Sequence, residues 1–93
     1  MKVTPDIIRY EFIGTKAKVA KSSNPYCVEI VGKVIDETRN TFTILHYGKR
    51  KVIIKDSSTF HFSFPDGTVV EVDGKLLVGK PEDRVKRRLR RLW

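Results

Sequence analysis

The stretch Val28-Glu29-Ile30-Val31-Gly32-Lys33-Val34-Ile35 decides the fold. Its β-branched residues favour extended backbone. A glycine inside such a run weakens it, so Gly32 marks a sharp bend or bulge. A long strand bent in this way lets a small sheet fold over on itself.

Short β segments extend on both sides of it. Upstream, Lys16-Ala17-Lys18-Val19-Ala20-Lys21 alternates, and Ser22-Ser23-Asn24-Pro25 is a loop. Downstream, Glu37-Thr38-Arg39-Asn40 turns the chain, Thr41 to Tyr47 is β-branched and aromatic, Gly48 marks a turn and Arg50 to Lys55 returns. Thr59 to Phe64 puts Phe60, Phe62 and Phe64 on one face at a period of two. Pro65-Asp66-Gly67-Thr68 is a tight-turn sequence. Val69 to Asp73 pairs back, and Leu76 to Val78 closes the set. Short strands at this spacing predict a small closed, strongly bent antiparallel barrel, or a sandwich, over 15–78.

A helix is predicted at each end. Thr4-Pro5-Asp6 supplies an N-cap, a proline for the first turn and a charge for the positive end of the dipole, and Gly14 stops a short helix over 4–13. Its apolar residues, Ile7, Ile8, Tyr10, Phe12 and Ile13, spread around most of the cylinder. Such a helix needs cover on several faces, from the core or from a partner chain. Pro81-Glu82-Asp83 opens a terminal helix over 81–93, with Val85, Leu89 and Leu92 on one face.

The chain has 93 residues, enough for one domain, 1–93, with a thin margin of burial. No apolar run is long enough to cross a membrane as a helix. The opening MKVTPDIIRYEF lacks the apolar stretch and cleavage site of a secretory signal, so a cytoplasmic location is expected. A lone cysteine, Cys27, makes no internal disulfide. With two histidines it falls short of a Cys/His zinc site.

Charge is the strongest functional signal. Nineteen Lys and Arg against eleven Asp and Glu give a net +8. Residues 80–93 hold seven of those cations against two acids. Clustered, arginine-rich charge points to a polyanion, for which nucleic acid is the common intracellular case. Three basic groups stand out: Lys16, Lys18 and Lys21 on the first strand; Arg39 at one turn and Lys49, Arg50 and Lys51 at another; and Arg84, Arg87, Arg88 and Arg91, spaced to form one helical stripe. Arginine grips phosphate in a bidentate manner. No RNA-recognition-motif signature, KH-type loop or zinc finger is present, and the three phenylalanines read as core. The expected readout is therefore backbone and shape, with RNA and DNA both open.

Catalytic readings are weaker. His46 and His61 can in principle act as an acid–base pair, yet both sit in strand sequences. Asp36 and Glu37 lie in a turn sequence and lack further carboxylates for a two-metal site. No catalytic residue, metal ligand or cofactor is assigned to the chain itself.

The sequence resembles archaeal ribonuclease P protein component 1. The resemblance is carried by Glu11-Phe12-Ile13-Gly14, Ser23-Asn24, Gly32-Lys33-Val34-Ile35-Asp36-Glu37-Thr38-Arg39-Asn40-Thr41, Phe60-His61-Phe62, Asp66-Gly67, Val72-Asp73-Gly74 and Gly79-Lys80-Pro81-Glu82-Asp83-Arg84-Val85-Lys86, in order along nearly the whole chain. It implies an Sm-like barrel with helices at both ends. It also implies a protein subunit of the ribonucleoprotein that removes the 5′ leader of precursor tRNA, with the magnesium-dependent chemistry in the RNA. Expected partners are the ribonuclease P RNA, a zinc-ribbon protein subunit, other holoenzyme proteins and, as a candidate, precursor tRNA. Alone, the chain is expected to be a monomer. By position, Ile7, Ile8, Tyr10 and Phe12 would meet the protein partner, Asn24 joins the basic residues as an RNA contact, and Asp36 and Asn40 shape a turn. Tyr26-Cys27-Val28-Glu29 and Tyr47-Gly48-Lys49 depart from the family pattern. The rival readings are an Sm-like oligomer or ribosomal-type RNA binder without a role in tRNA processing, and a free nuclease using the two histidines.

Overall fold

The computed structural model describes residues 11–80. Six antiparallel strands form one sheet: β1 Lys16–Ser22, β2 Val31–Glu37, β3 Thr41–His46, β4 Lys49–Ile54, β5 Ser58–Ser63 and β6 Val69–Asp73, in the order β4-β3-β2-β1-β5-β6. Short 3₁₀ turns at Pro25–Cys27, Lys55–Ser57 and Gly74–Leu77 lie between or after them.

The sheet curls strongly. Phe42 on β3 and Phe60 on β5 are three strand positions apart, which in a flat sheet is about 14 Å. Their rings meet edge to face with centroids 5.3 Å apart. Phe12 stacks on Phe62 at 3.9 Å and meets Phe42 edge-on at 6.1 Å. Around these rings Ala17, Val19, Val34, Ile44, Ile53, Val72 and Leu77 are buried. Full burial of one such side chain contributes about 1.5–3 kcal/mol, so the inward face of the curl is the principal source of stability. The period-two reading of Phe60, Phe62 and Phe64 holds, since all three are buried.

The bend is built differently from the expectation at Gly32. The register shifts fall between Val34 and Asp36 on β2, and between Val19 and Lys21 on β1. Gly32 is instead a point of close approach, because a Cβ there would run into the Leu45 carbonyl of β3. It sits where β2 changes partners. Residues 31–33 of β2 pair with β1 and residues 33–37 pair with β3. The strand also starts later than expected, at Val31, because Cys27 ends a 3₁₀ turn and Glu29 takes a positive φ of 71°. It runs on through Asp36 and Glu37, which local sequence places in the turn.

Closure is a second correction. No ladder joins β4 to β6 among the described residues, so the sheet is curled but not a closed barrel. After β4 the backbone turns away at Lys55–Ser57, and after β6 it turns at Gly74–Leu77. These two turns pack on each other and occupy the seam. Leu76 to Val78 is accordingly not a strand. Gly74 allows the close fit, since a Cβ there would meet the Lys55 and Ser58 carbonyl oxygens.

A side chain secures the seam. Lys55 is fully buried, and its Nζ donates to Glu37 Oε2 at 2.6 Å, Thr38 O at 2.8 Å, Gly79 O at 3.0 Å and Arg39 O at 3.2 Å. It also lies 4.7 Å from the centroid of the Phe42 ring. A buried ammonium is tolerated only when paired and hydrogen-bonded in this way.

The helix expected over 4–13 falls mostly outside the described residues, as does the whole of that over 81–93. Residues 11–13 are described and are not helical. A turn instead sets Thr15 N on Phe12 O at 2.9 Å and Gly14 N on Val34 O at 2.7 Å, which delivers Phe12 into the core.

Candidate nucleic-acid interface

The outward face of the sheet is assembled by register. Lys16 of β1 stands opposite Ser63 of β5 on one side and Lys33 of β2 on the other; Lys33 stands opposite Leu45, and Leu45 opposite Arg50 of β4. Opposed residues share a face. Lys16, Lys33 and Arg50 therefore form a lateral row across four strands, and all three are exposed. Like charges directly opposite one another destabilise a sheet, and bound polyanion would relieve the repulsion between Lys16 and Lys33.

The bulge at Ala20 extends the face. Strict alternation after Lys18 would turn Lys21 inward. The shift between Val19 and Lys21 pairs Lys21 with Thr59 instead, and Lys21 is exposed. Acidic residues temper this flank. Lys18 pairs with Glu29 at 3.1 Å, and His61 Nε2 lies 2.8 Å from Glu71 Oε1. The hydrogen bond from His61 holds the Glu71 carboxyl below its ordinary range, and the charges of His61 and Lys21 act in the same direction.

The remaining candidates are dispersed. Lys51 is half-buried opposite Ile44, turned away from the Arg50 face. Arg39 is exposed in the turn at the far end of β2, where its carbonyl accepts from Lys55 Nζ and from Gly79 N. Asn24 acts locally, since its Oδ1 accepts from Tyr26 N at 3.0 Å and caps the 3₁₀ turn. Arg84, Arg87, Arg88 and Arg91 lie outside the described residues, as do Ile7, Ile8 and Tyr10. Phe12 does not serve as a partner contact in this structure. It is 0% exposed because its ring fills the centre of the curl.

The two histidines do not share a site. His46 lies on β3, with Nδ1 3.1 Å from Val31 N and 2.8 Å from Val31 O, while His61 stands on the outer face of β5, three strand positions away. Among the described residues no three His, Cys, Asp or Glu side chains cluster to hold a metal ion. No described helix is long and apolar enough to cross a membrane.

Sequence reasoning misses Lys33 and Lys55. Lys33 is legible as a charge intruding on an apolar strand, but its neighbours come from cross-strand register. Lys55 looks like the last residue of a basic strand, and nothing local marks it as buried.

A small curled β sheet presenting cations on its outward face defines a module for binding a polyanion. The chain belongs to the ribonuclease P/MRP subunit p29 family, whose model matches residues 5–87. It is 46% identical over 95 residues to ribonuclease P protein component 1 of Thermofilum pendens, with both chains covered in full. It is 43% identical to the protein of the same name from Methanocaldococcus jannaschii, covering 98% of this chain and 97% of that one. A solved structure of Mth11, described as a homologue of human RNase P protein Rpp29, aligns with a TM-score of 0.61 at 41% identity, covering 81% of this chain and 97% of the other.

Proposed function

We propose that this chain acts as a protein subunit of ribonuclease P and that the row Lys16, Lys33 and Arg50, with Lys21 beside it, lies along the phosphate backbone of the enzyme's RNA. The observation that carries the second part is the direct cross-strand opposition of Lys16 and Lys33 on an exposed face. Membership of the family over 5–87 carries the first. In this reading the RNA performs the magnesium-dependent cleavage of the precursor-tRNA leader, and the chain binds no cofactor. It supports RNA folding and substrate handling in the cytoplasm. A zinc-ribbon subunit is the protein partner, engaged through the terminal segments, including Ile7, Ile8 and Tyr10. Arg84, Arg87, Arg88 and Arg91 add to the RNA contact.

Reconstitution tests it. Precursor-tRNA cleavage by archaeal ribonuclease P RNA at low magnesium, with the zinc-ribbon protein, should depend on this chain, and the proteins without RNA should be inert. If omission of the chain changes neither cleavage nor RNA binding, the account gives way to a general Sm-like or ribosomal-type RNA binder.

A further inference from the structure

The two most exposed large aromatic side chains among the described residues are Tyr26, 90% exposed, and Tyr47, 88% exposed. They share one end of the sheet. Tyr26 sits in the connection from β1 to β2, and Tyr47 follows the last residue of β3. Antiparallel pairing sets the end of β3 beside the start of β2, where His46 Nδ1 reaches the Val31 backbone. Neither ring contributes to the core.

Both rings stand on backbone fixed by local turns. Tyr47 has a positive φ of 49°, with Gly48 following at 77°. They are the two central residues of the β3–β4 hairpin, closed by the His46–Lys49 pair, and a tight two-residue turn of this kind requires positive φ at both positions. The ring packs edge-on against His46, with centroids 4.5 Å apart, and His46 is itself fixed to Val31. Tyr26 follows Pro25 in a 3₁₀ turn capped by Asn24. Cations accompany the rings. Lys49 and Arg50 follow Tyr47 closely and are exposed, and Lys18 stands opposite Val31. A bare ring face beside ammonium and guanidinium groups matches a nucleotide: base on the ring, phosphate on the cation.

We propose that Tyr26 and Tyr47 are stacking platforms for unpaired bases of the bound RNA, with Lys49 and Arg50 on the adjoining phosphates. This rests on the reading of the chain as an RNA-binding subunit. It adds a preference for single-stranded segments, because bases inside a duplex offer no free face.

The test uses the full chain with ribonuclease P RNA, with single-stranded oligoadenylate and with a fully paired RNA duplex. The variants are Tyr26→Ser, Tyr47→Asn and their combination. Asparagine tolerates a positive φ, so Tyr47→Asn should leave the melting temperature unchanged or raised. Each single change should weaken binding to ribonuclease P RNA by about five-fold or more. The slope of affinity against salt should stay the same, because no charge is removed. Chemical probing should show unpaired bases losing protection. Tyr47→Trp in a Trp93→Phe background should retain affinity, with fluorescence quenched by oligoadenylate and not by duplex. Wild-type affinity and protection in the double variant would overturn the stacking role and leave the subunit assignment standing. Failure of the wild-type chain to bind that RNA would overturn both. Normal RNA binding by the double variant, with loss of a protein partner from the reconstituted enzyme, would make the rings a protein contact and also overturn it.

Discussion

The two ends of β2 use polar chemistry in opposite ways. At the Glu37 end, a lysine is drawn fully inside and its ammonium joins the Glu37 carboxylate and the Thr38 and Arg39 carbonyls to the Gly79 carbonyl from a distant part of the chain. At the Val31 end, a histidine is fixed to the backbone and two tyrosines stand in solvent, one in the tight β3–β4 turn. One end turns its functional groups inward and gains a closed seam; the other displays them. On the stacking proposal, stability and recognition would fall to different ends of a single strand.

Breaking the inward end should have the largest effect. Lys55→Ala leaves Glu37 buried without its ammonium and should cost about 3–5 kcal/mol by chemical denaturation. Lys55→Met combined with Glu37→Leu should restore part of that loss, since an apolar pair of similar volume often replaces a buried ion pair, while the Thr38, Arg39 and Gly79 carbonyls still lose the lysine donor. If the single and double variants are equally destabilised, the clasp is not acting through its charge.

Gly32→Ala tests the strand that joins the two ends. Its methyl group would meet the Leu45 carbonyl, and overpacking of this sort costs about 1–3 kcal/mol. A neutral result in thermal unfolding would show that β2 and β3 can separate locally without penalty.

On the outer face, Lys16→Ala, Lys33→Ala and Arg50→Ala should each reduce the slope of RNA affinity against salt by about one phosphate contact. Lys51→Ala, on a half-buried side chain, should reduce it less. Lys33→Ala has a distinguishing sign, because it should also raise stability slightly by removing the opposition to Lys16. Equal slopes for all four variants would dissolve the row as a functional unit.

The smallest effect concerns pH. The His61 hydrogen bond holds the Glu71 carboxyl below its unfolded range, so its contribution to stability is present above the unfolded value and fades as pH falls through the folded one. Both groups are accessible to solvent, which keeps the contribution minor. His61→Ala should raise the Glu71 titration toward the ordinary carboxylate range in an NMR titration, and an unmoved curve would separate the two groups.

Much of this is legible in the sequence for a physical reason. Alternation exposes the strands directly: Phe60, Phe62 and Phe64 are core because a period of two puts them on one face. Turn chemistry at Asn24-Pro25, Tyr47-Gly48 and Asp66-Gly67 fixes where strands end. The features missed depend on partners distant in sequence. The expected closed barrel fails because two 3₁₀ turns and the Lys55 side chain fill the seam where a ladder would run. Local sequence puts Glu37 in a turn because its ion pair lies 18 residues away. Phe12 reads as a surface for a partner only when helical periodicity is extended into residues that turn into the core. At the interface, charge reveals that cations matter, but only register shows that Lys16 and Lys33 oppose each other while Lys51 faces elsewhere.

The Lys55 clasp also sets an order of events during synthesis. Its acceptors on residues 37–39 precede it in the chain, while Gly79 follows by 24 residues. A nascent chain can bring Lys55 to Glu37 while β5 and β6 are still unmade, but the seam locks only after the chain has been made through Gly79. Until then the Lys55–Ser57 turn lacks the Gly74–Leu77 turn that packs on it in the finished domain, while β4 is the edge of the sheet before and after, with Val52 and Ile54 exposed on it. In a domain finished by one ammonium, the interval between synthesis of Lys55 and synthesis of Gly79 is the time during which that ammonium lacks its last acceptor and the seam its cover.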